Sequence, residues 1–155
     1  MWVYSLVVIL GIVVDQLVKW WTVTNFEVYA GQAFIPGVVD IFYIRNEGAA
    51  WGMLEGKMFF FYLITAVAIG ALVYLMYHER NHSKLALLAY SLMLSGAIGN
   101  FIDRVRLGYV IDMFRLEFMH FPIFNVADAL LSVGVAILLV YILFMDDNNG
   151  GKNEK

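Results

Sequence analysis

The chain has no cysteine. That removes disulfides, thiolate metal sites and cysteine nucleophiles together, while leaving the compartment open. Charge is also scarce: 15% of residues are Asp, Glu, Lys or Arg, with a formal net charge of -3 and no basic stripe. A nucleic-acid partner is therefore not expected. No internal repeat is evident. Residues 1–21 lack a basic leading stretch and a small-residue cleavage site, and Asp15 interrupts their apolar run. They read as a retained span rather than a signal peptide. What the chain does have is apolar bulk. At 155 residues, 62% hydrophobic and a mean hydropathy of +0.75, it is expected to be a single-domain membrane protein.

Four apolar runs, at about residues 2–24, 58–77, 85–102 and 126–145, each approach the ~20 residues needed to cross ~30 Å of hydrocarbon as helix. Backbone polar groups find no water inside a bilayer, so helices are the expected form. The fold class is an all-α membrane protein of four transmembrane helices, with both termini on one side. Ser95, Gly96 and Gly99 favour close packing of the third span. The connector at 25–57 is glycine-bearing and too long for a simple turn. Its Val38–Ile44 stretch is β-branched and aromatic, which predicts a small β-rich platform at the surface. The connector at 103–125 lies on the same side, and a short polar link, 78–84, on the other. The tail, 146–155, is polar and expected to be disordered. Basic residues are divided between the two sides, so charge gives no clear orientation.

Three acidic patterns crowd into residues 100–128: Asn100-Phe101-Ile102-Asp103-Arg104, Val110-Ile111-Asp112-Met113-Phe114 and Phe124-Asn125-Val126-Ala127-Asp128. The short connection returns the chain to the side it left. Asn100 and Asp103, and Asn125 and Asp128, should lie at one membrane face at similar depth. Carboxylates in such a setting cost about 2.5–3.5 kcal/mol each at a helix centre. Each pattern has a plain structural account. Asn125 could cap a helix whose dipole favours Asp128, and Asp103-Arg104 could anchor a boundary. Asp15 and Lys19 could form an interfacial ion pair, with the lysine reaching toward water beside Trp20 and Trp21. Asp112 is harder to dismiss, because apolar residues flank it with no adjacent cation. Asp40 lies outside every pattern and is expected to be a dispensable surface acid.

His78-Glu79-Arg80-Asn81-His82 fits the H-E-x-x-H zinc pattern. It fills a short polar turn away from the acidic cluster, so a solvated loop is the better reading and no metal is expected. Ser91 and Ser95 have no histidine placed to serve them, and His120 has no partner serine. Two aspartates sharing one proton remain as the chemistry that could activate water without a metal or covalent intermediate. The rivals are a non-enzymatic membrane subunit or small transporter whose carboxylates carry ions, and a zinc protease using His78 and His82.

Five ordered motifs carry a resemblance over essentially the whole chain. They are Asp15-Gln16-Leu17-Val18-Lys19, Arg45-Asn46-Glu47-Gly48-Ala49-Ala50-Trp51, Gly96-Ala97-Ile98-Gly99-Asn100-Phe101-Ile102-Asp103-Arg104, Val110-Ile111-Asp112, and Phe124-Asn125-Val126-Ala127-Asp128. The chain resembles the lipoprotein signal peptidases (signal peptidase II), bacterial integral-membrane aspartic peptidases. Ser95, where a glycine often precedes the third motif, is the one departure. The resemblance implies that Asp112 and Asp128 are the catalytic dyad. Asn46, Asn100, Arg104 and Asn125 would position substrate or aspartates, and Asp15 and Asp103 would support the site. Lys19, Gly48, Ala49, Ala50 and Trp51 fall within the same motifs and join the candidate set. The implied substrate is a prolipoprotein cut just before a diacylglyceryl-modified cysteine. The implied setting is the bacterial cytoplasmic membrane, with both termini cytoplasmic and the cluster near the outer leaflet. Membrane lipid is an expected partner; no cofactor and no obligatory protein partner is expected. The segment 46–56 is expected to move over the site during turnover.

Overall fold

The computed structural model describes residues 1–48 and 58–144. Its order is α1 (Trp2–Asn25), β1 (Gly31–Ile35), β2 (Val39–Asn46), α2 (Met58–His78), a 3-10 turn (Glu79–Asn81), α3 (Lys84–Leu107), β3 (Val110–Leu116) and α4 (Val126–Phe144). All four α-helices are long and apolar enough to cross a membrane. With the three-stranded sheet, the expected architecture of four helices and a small β platform is present.

The helices are not equivalent. Within its apolar window α3 is 61% buried, against 11–22% for the other three, because α1, α2 and α4 all pack against it. α3 is therefore the inner helix, and the apolar outer faces of its neighbours are left for lipid. Two glycines on α3 permit the approach. A Cβ at Gly96 would stand 2.2 Å from the Ala127 carbonyl oxygen, and one at Gly99 would stand 2.7 Å from the Asp15 carboxylate. A side chain at Gly96 would force the backbone of α4 away, and one at Gly99 would displace the Asp15 carboxylate.

α3 also runs further than its hydropathy suggests. It opens on Ser83, whose hydroxyl accepts the Ala86 N–H at 3.1 Å, and it closes at Gly108 in the left-handed conformation, φ 79°. Asp103 and Arg104 thus belong to the helix, not to a connector starting at 103. The apolar run ends at Ile102, but the hydrogen-bonded backbone continues for a further turn because its polar side chains find partners.

The sheet is antiparallel in the order β1-β2-β3. The second connector supplies β3, a strand not foreseen in the sequence. Val110, Ile111, Asp112 and Met113 are all buried, so the alternation that marks a half-buried strand is missing there. Ile41, Tyr43, Ile111 and Met113 form the platform's core, packed against Val18 and Phe26 at the end of α1. Phe114 pairs further with Phe124 just before α4. Strand pairing places Ile44 opposite Asp112 and Asp40 opposite Arg115. Asp40 is consequently not a free surface acid. It is 5% exposed and receives both Nε (3.1 Å) and Nη2 of Arg115.

Candidate active site

Asp112 is set by β3 and Asp128 by the first turn of α4. Between them stands Asn125, fully buried. Its Nδ2 donates to Asp112 Oδ1 at 2.6 Å, while its backbone N–H donates to Asp128 Oδ2 at 3.1 Å. Its Oδ1 in turn accepts the Asp128 N–H at 3.0 Å. The exchange between Asn125 and Asp128 is the reciprocal cap of a helix N-terminus. Capping and site building are here the same set of bonds.

The remaining oxygens are held by two other asparagines. Asn46 on β2 donates to Asp112 Oδ2 at 2.8 Å, and Asn100 on α3 donates to Asp128 Oδ1 at 2.7 Å. Each oxygen of the two carboxylates therefore accepts one hydrogen bond from a neutral N–H. Neutral donors fix orientation without supplying a compensating charge. Burial, followed by the nearby charge of Asp128, pushes the Asp112 carboxyl up to about 7, against opposing hydrogen bonds from Asn46 and Asn125.

Behind this layer lies a charged one. Lys19 Nζ stands 2.9 Å from both Asp15 Oδ2 and Asp103 Oδ2 and 3.0 Å from Asn100 Oδ1. Lys19 is 2% exposed, so it does not reach for interfacial water; it turns inward because two carboxylates and an amide oxygen complete its coordination. Gln16 joins the set, donating to Asp103 Oδ1 at 2.9 Å and more distantly to Asp15 and the Gly99 carbonyl. The sequence reading did not single Gln16 out. Its signal was position: it stands between Asp15 and the turn that carries Lys19.

A cavity of about 500 Å³ opens on the aspartates. Asn46, Gly48, Asn100, Arg104, Asp112 and Asp128 form its polar end, and Ile64, Thr65, Ala68, Ala97 and Leu131 its apolar wall. Arg104 lies 4.9 Å from the Phe61 ring centroid, and Tyr62 donates to its carbonyl oxygen at 2.9 Å. Among the described residues its Nε has no hydrogen-bond partner. Gly48 donates its N–H to Asn46 Oδ1 at 3.0 Å, orienting that amide. Polar recognition groups at one end and an apolar wall at the other suit a ligand of mixed character.

This constellation accompanies clear relatives. A sequence model described as Signal peptidase (SPase) II matches residues 7–144. The chain belongs to the signal peptidase II family. It is similar to the lipoprotein signal peptidase of Enterococcus faecalis, 46% identical over 99% of this chain and 94% of that one. The corresponding protein of Listeria welshimeri is 47% identical, with 93% and 94% covered. Among solved structures it is similar to a bacterial membrane enzyme determined in meso at 2.3 Å resolution. That likeness has a TM-score of 0.90 and 36% identity, and covers 100% of this chain and 94% of the other. The protein is accordingly a multi-pass membrane peptidase.

In this signal peptidase II, nine of the candidate residues converge: Asp15, Lys19, Asn46, Asn100, Asp103, Asp112, Asn125 and Asp128 through direct bonds, and Arg104 on the cavity wall. Gly48 joins them through Asn46. Ala49, Ala50 and Trp51, with most of the segment expected to move, lie outside the described residues. His78 and His82 are elsewhere, at the end of the bundle remote from the sheet. Their rings stack 6.0 Å apart, and His82 Nδ1 lies 3.2 Å from the His78 carbonyl oxygen.

Proposed function

We propose that this signal peptidase II removes the signal peptide from diacylglyceryl-modified prolipoproteins, cutting before the lipid-modified cysteine with water activated by Asp112 and Asp128. The observation that carries the reading is the arrangement of a buried carboxylate, Asp112, and a half-buried one, Asp128, oriented by neutral N–H groups around one asparagine, with Asp112 pushed up to about 7. Such a pair retains one proton, and Asp112 is the member that holds it. Asp128 then supplies the carboxylate.

The step balances without any further reactant. Water placed between the aspartates attacks the carbonyl carbon and gives one proton to Asp128, while protonated Asp112 hydrogen-bonds and then protonates the carbonyl oxygen. The tetrahedral diol collapses as the peptide C–N bond breaks. The proton taken up by Asp128 passes to the leaving nitrogen, and the diol hydroxyl returns its proton to Asp112. Asn100 and Asn46 keep both carboxylates aimed while charge moves between them.

The lipoprotein substrate is supported by the relatives, which are lipoprotein signal peptidases by name, and the apolar cavity wall from α2, α3 and α4 suits an acyl chain beside a peptide. Both termini in the cytoplasm, with the sheet and aspartates at the outer leaflet, is the orientation that fits this substrate. The test is cleavage of a purified lipid-modified prolipoprotein in detergent or vesicles. Asp112→Asn and Asp128→Asn should each lower turnover by about 10³-fold or more, and the double variant should be hardly worse than either single one. Substantial turnover in either single variant would remove the pair from the chemistry.

A further inference from the structure

Building on the dyad reading above, we propose that Lys19 is a positioning residue whose one ammonium group ties together the two backbone segments carrying Asp112 and Asp128. The geometry is nearly symmetrical. Asp15 Oδ1 accepts the N–H of Ala127, the residue before Asp128, at 2.9 Å. Asp103 Oδ2 accepts the N–H of Ile111, the residue before Asp112, at 3.1 Å. Each supporting carboxylate thus grips the peptide group immediately upstream of one dyad member. Lys19 Nζ joins the two grips at 2.9 Å each.

The same nitrogen reaches a third acceptor, Asn100 Oδ1, at 3.0 Å. An ammonium has no acceptor lone pair, so it dictates which end of the Asn100 amide faces it. The amide nitrogen must then point away, and it donates to Asp128 Oδ1 at 2.7 Å. One buried cation therefore sets the spacing of two backbone segments and, together with Asn125 Nδ2, which donates to the same Asn100 oxygen at 3.0 Å, the sense of one amide. A group that only neutralised Asp15 and Asp103 would need neither the shared nitrogen nor the bond to Asn100. Displacements of about 1 Å between reacting groups can cost about 10²-fold in rate, so loss of this tie should be read in turnover rather than in substrate affinity.

Truncating Lys19 alone leaves two buried carboxylates uncompensated, which is itself strongly destabilising. The informative variant is Lys19→Met with Asp15→Asn, which removes one charge of each sign and leaves asparagine Oδ1 to accept the Ala127 N–H. Melting temperature, kcat and KM are measured on the purified protein with a lipid-modified prolipoprotein. The expected result is a melting temperature near that of the unaltered protein, KM within a few-fold, and kcat lower by about 10²-fold. A folded double variant with unaltered kcat would overturn the proposal. Should that variant fail to fold, Lys19→Arg decides. It keeps the charge, but no single guanidinium nitrogen can serve all three acceptors, so kcat should fall with KM preserved; unaltered kcat overturns the proposal equally. Asp112→Asn in the same assay separates the two readings. Full turnover there sinks the dyad, whereas loss there beside unaltered kcat in the Lys19 variants sinks only the role of Lys19.

Discussion

Two aspartates on neighbouring strands of one small sheet have opposite fates. Asp40 on β2 and Asp112 on β3 are 5% and 1% exposed, so neither is a free surface acid. Their partners differ. Asp40 meets the Arg115 guanidinium, whose hydrogen bonds hold its carboxyl below the usual range. Asp112 has no cation bonded to it, and burial, then the charge of Asp128, raises its carboxyl to about 7 against the hydrogen bonds of Asn46 and Asn125. A cation fixes a carboxylate in one ionisation state and so makes it structural. Amides fix only its direction, and leave its proton available near neutral pH.

The contrast is broken most severely by giving Asp112 a cation of its own. Asn46→Lys would replace the amide at 2.8 Å by an ammonium, favouring the ionised form and making Asp112 resemble Asp40. Turnover should fall by about 10³-fold at neutral pH, checked by prolipoprotein cleavage. Near-normal turnover in that variant would mean that the proton on Asp112 is not needed.

The unaltered protein gives the next largest effect. Because Asp112 holds its proton up to about 7, kcat should decline as pH rises through that region, and decline again at acid pH once the pair is doubly protonated. The two apparent constants belong to the pair. The sign for stability follows from the same shift. Between the ordinary 3.8 and about 7 the folded protein keeps a proton that the unfolded chain has released, so this contribution is complete below 3.8. It weakens as pH rises through the folded value. A flat rate profile from acid to alkaline pH would contradict the shared proton.

The smallest effect on turnover is expected at Asp40. Asp40→Asn should lower the melting temperature, because Arg115 loses a charged partner across the strands, yet leave turnover within a few-fold. A loss comparable to that of Asp112→Asn would show that the ion pair, and not only the amide-held carboxylate, belongs to the site.

How much of this was legible in the chain depends on what each residue signals locally. The helices were readable because an uninterrupted apolar run of ~20 residues has few alternatives. That Asn100 and Asp128 lie at one end of the bundle followed from the return connection between two such runs; that they bond does not follow from the sequence. Strand β3 was not readable, since four consecutive buried residues erase its alternation, and with it went the Asp40–Arg115 pair that only strand register creates. Lys19 was legible as the partner of Asp15, but not as a buried group. A lysine four residues after an aspartate beside two tryptophans has the pattern of an interfacial anchor, and only the approach of α3, allowed by Gly99, turns it inward onto Asp103. Asn125 and Asp128 were legible as a helix cap, and the same asparagine that makes the cap also reaches Asp112.

The bond from Asp15 to the Ala127 N–H joins residues 112 positions apart, and this bears on how the protein comes into being. Synthesis delivers the first helix to the membrane long before the fourth. Throughout that interval Asp15 lacks its final partner and Asp112 lacks both Asn125 and Asp128. No incomplete chain can hold the reactive arrangement, however well its earlier helices are placed. On the proposed mechanism, each copy therefore gains its activity only when its last helix docks.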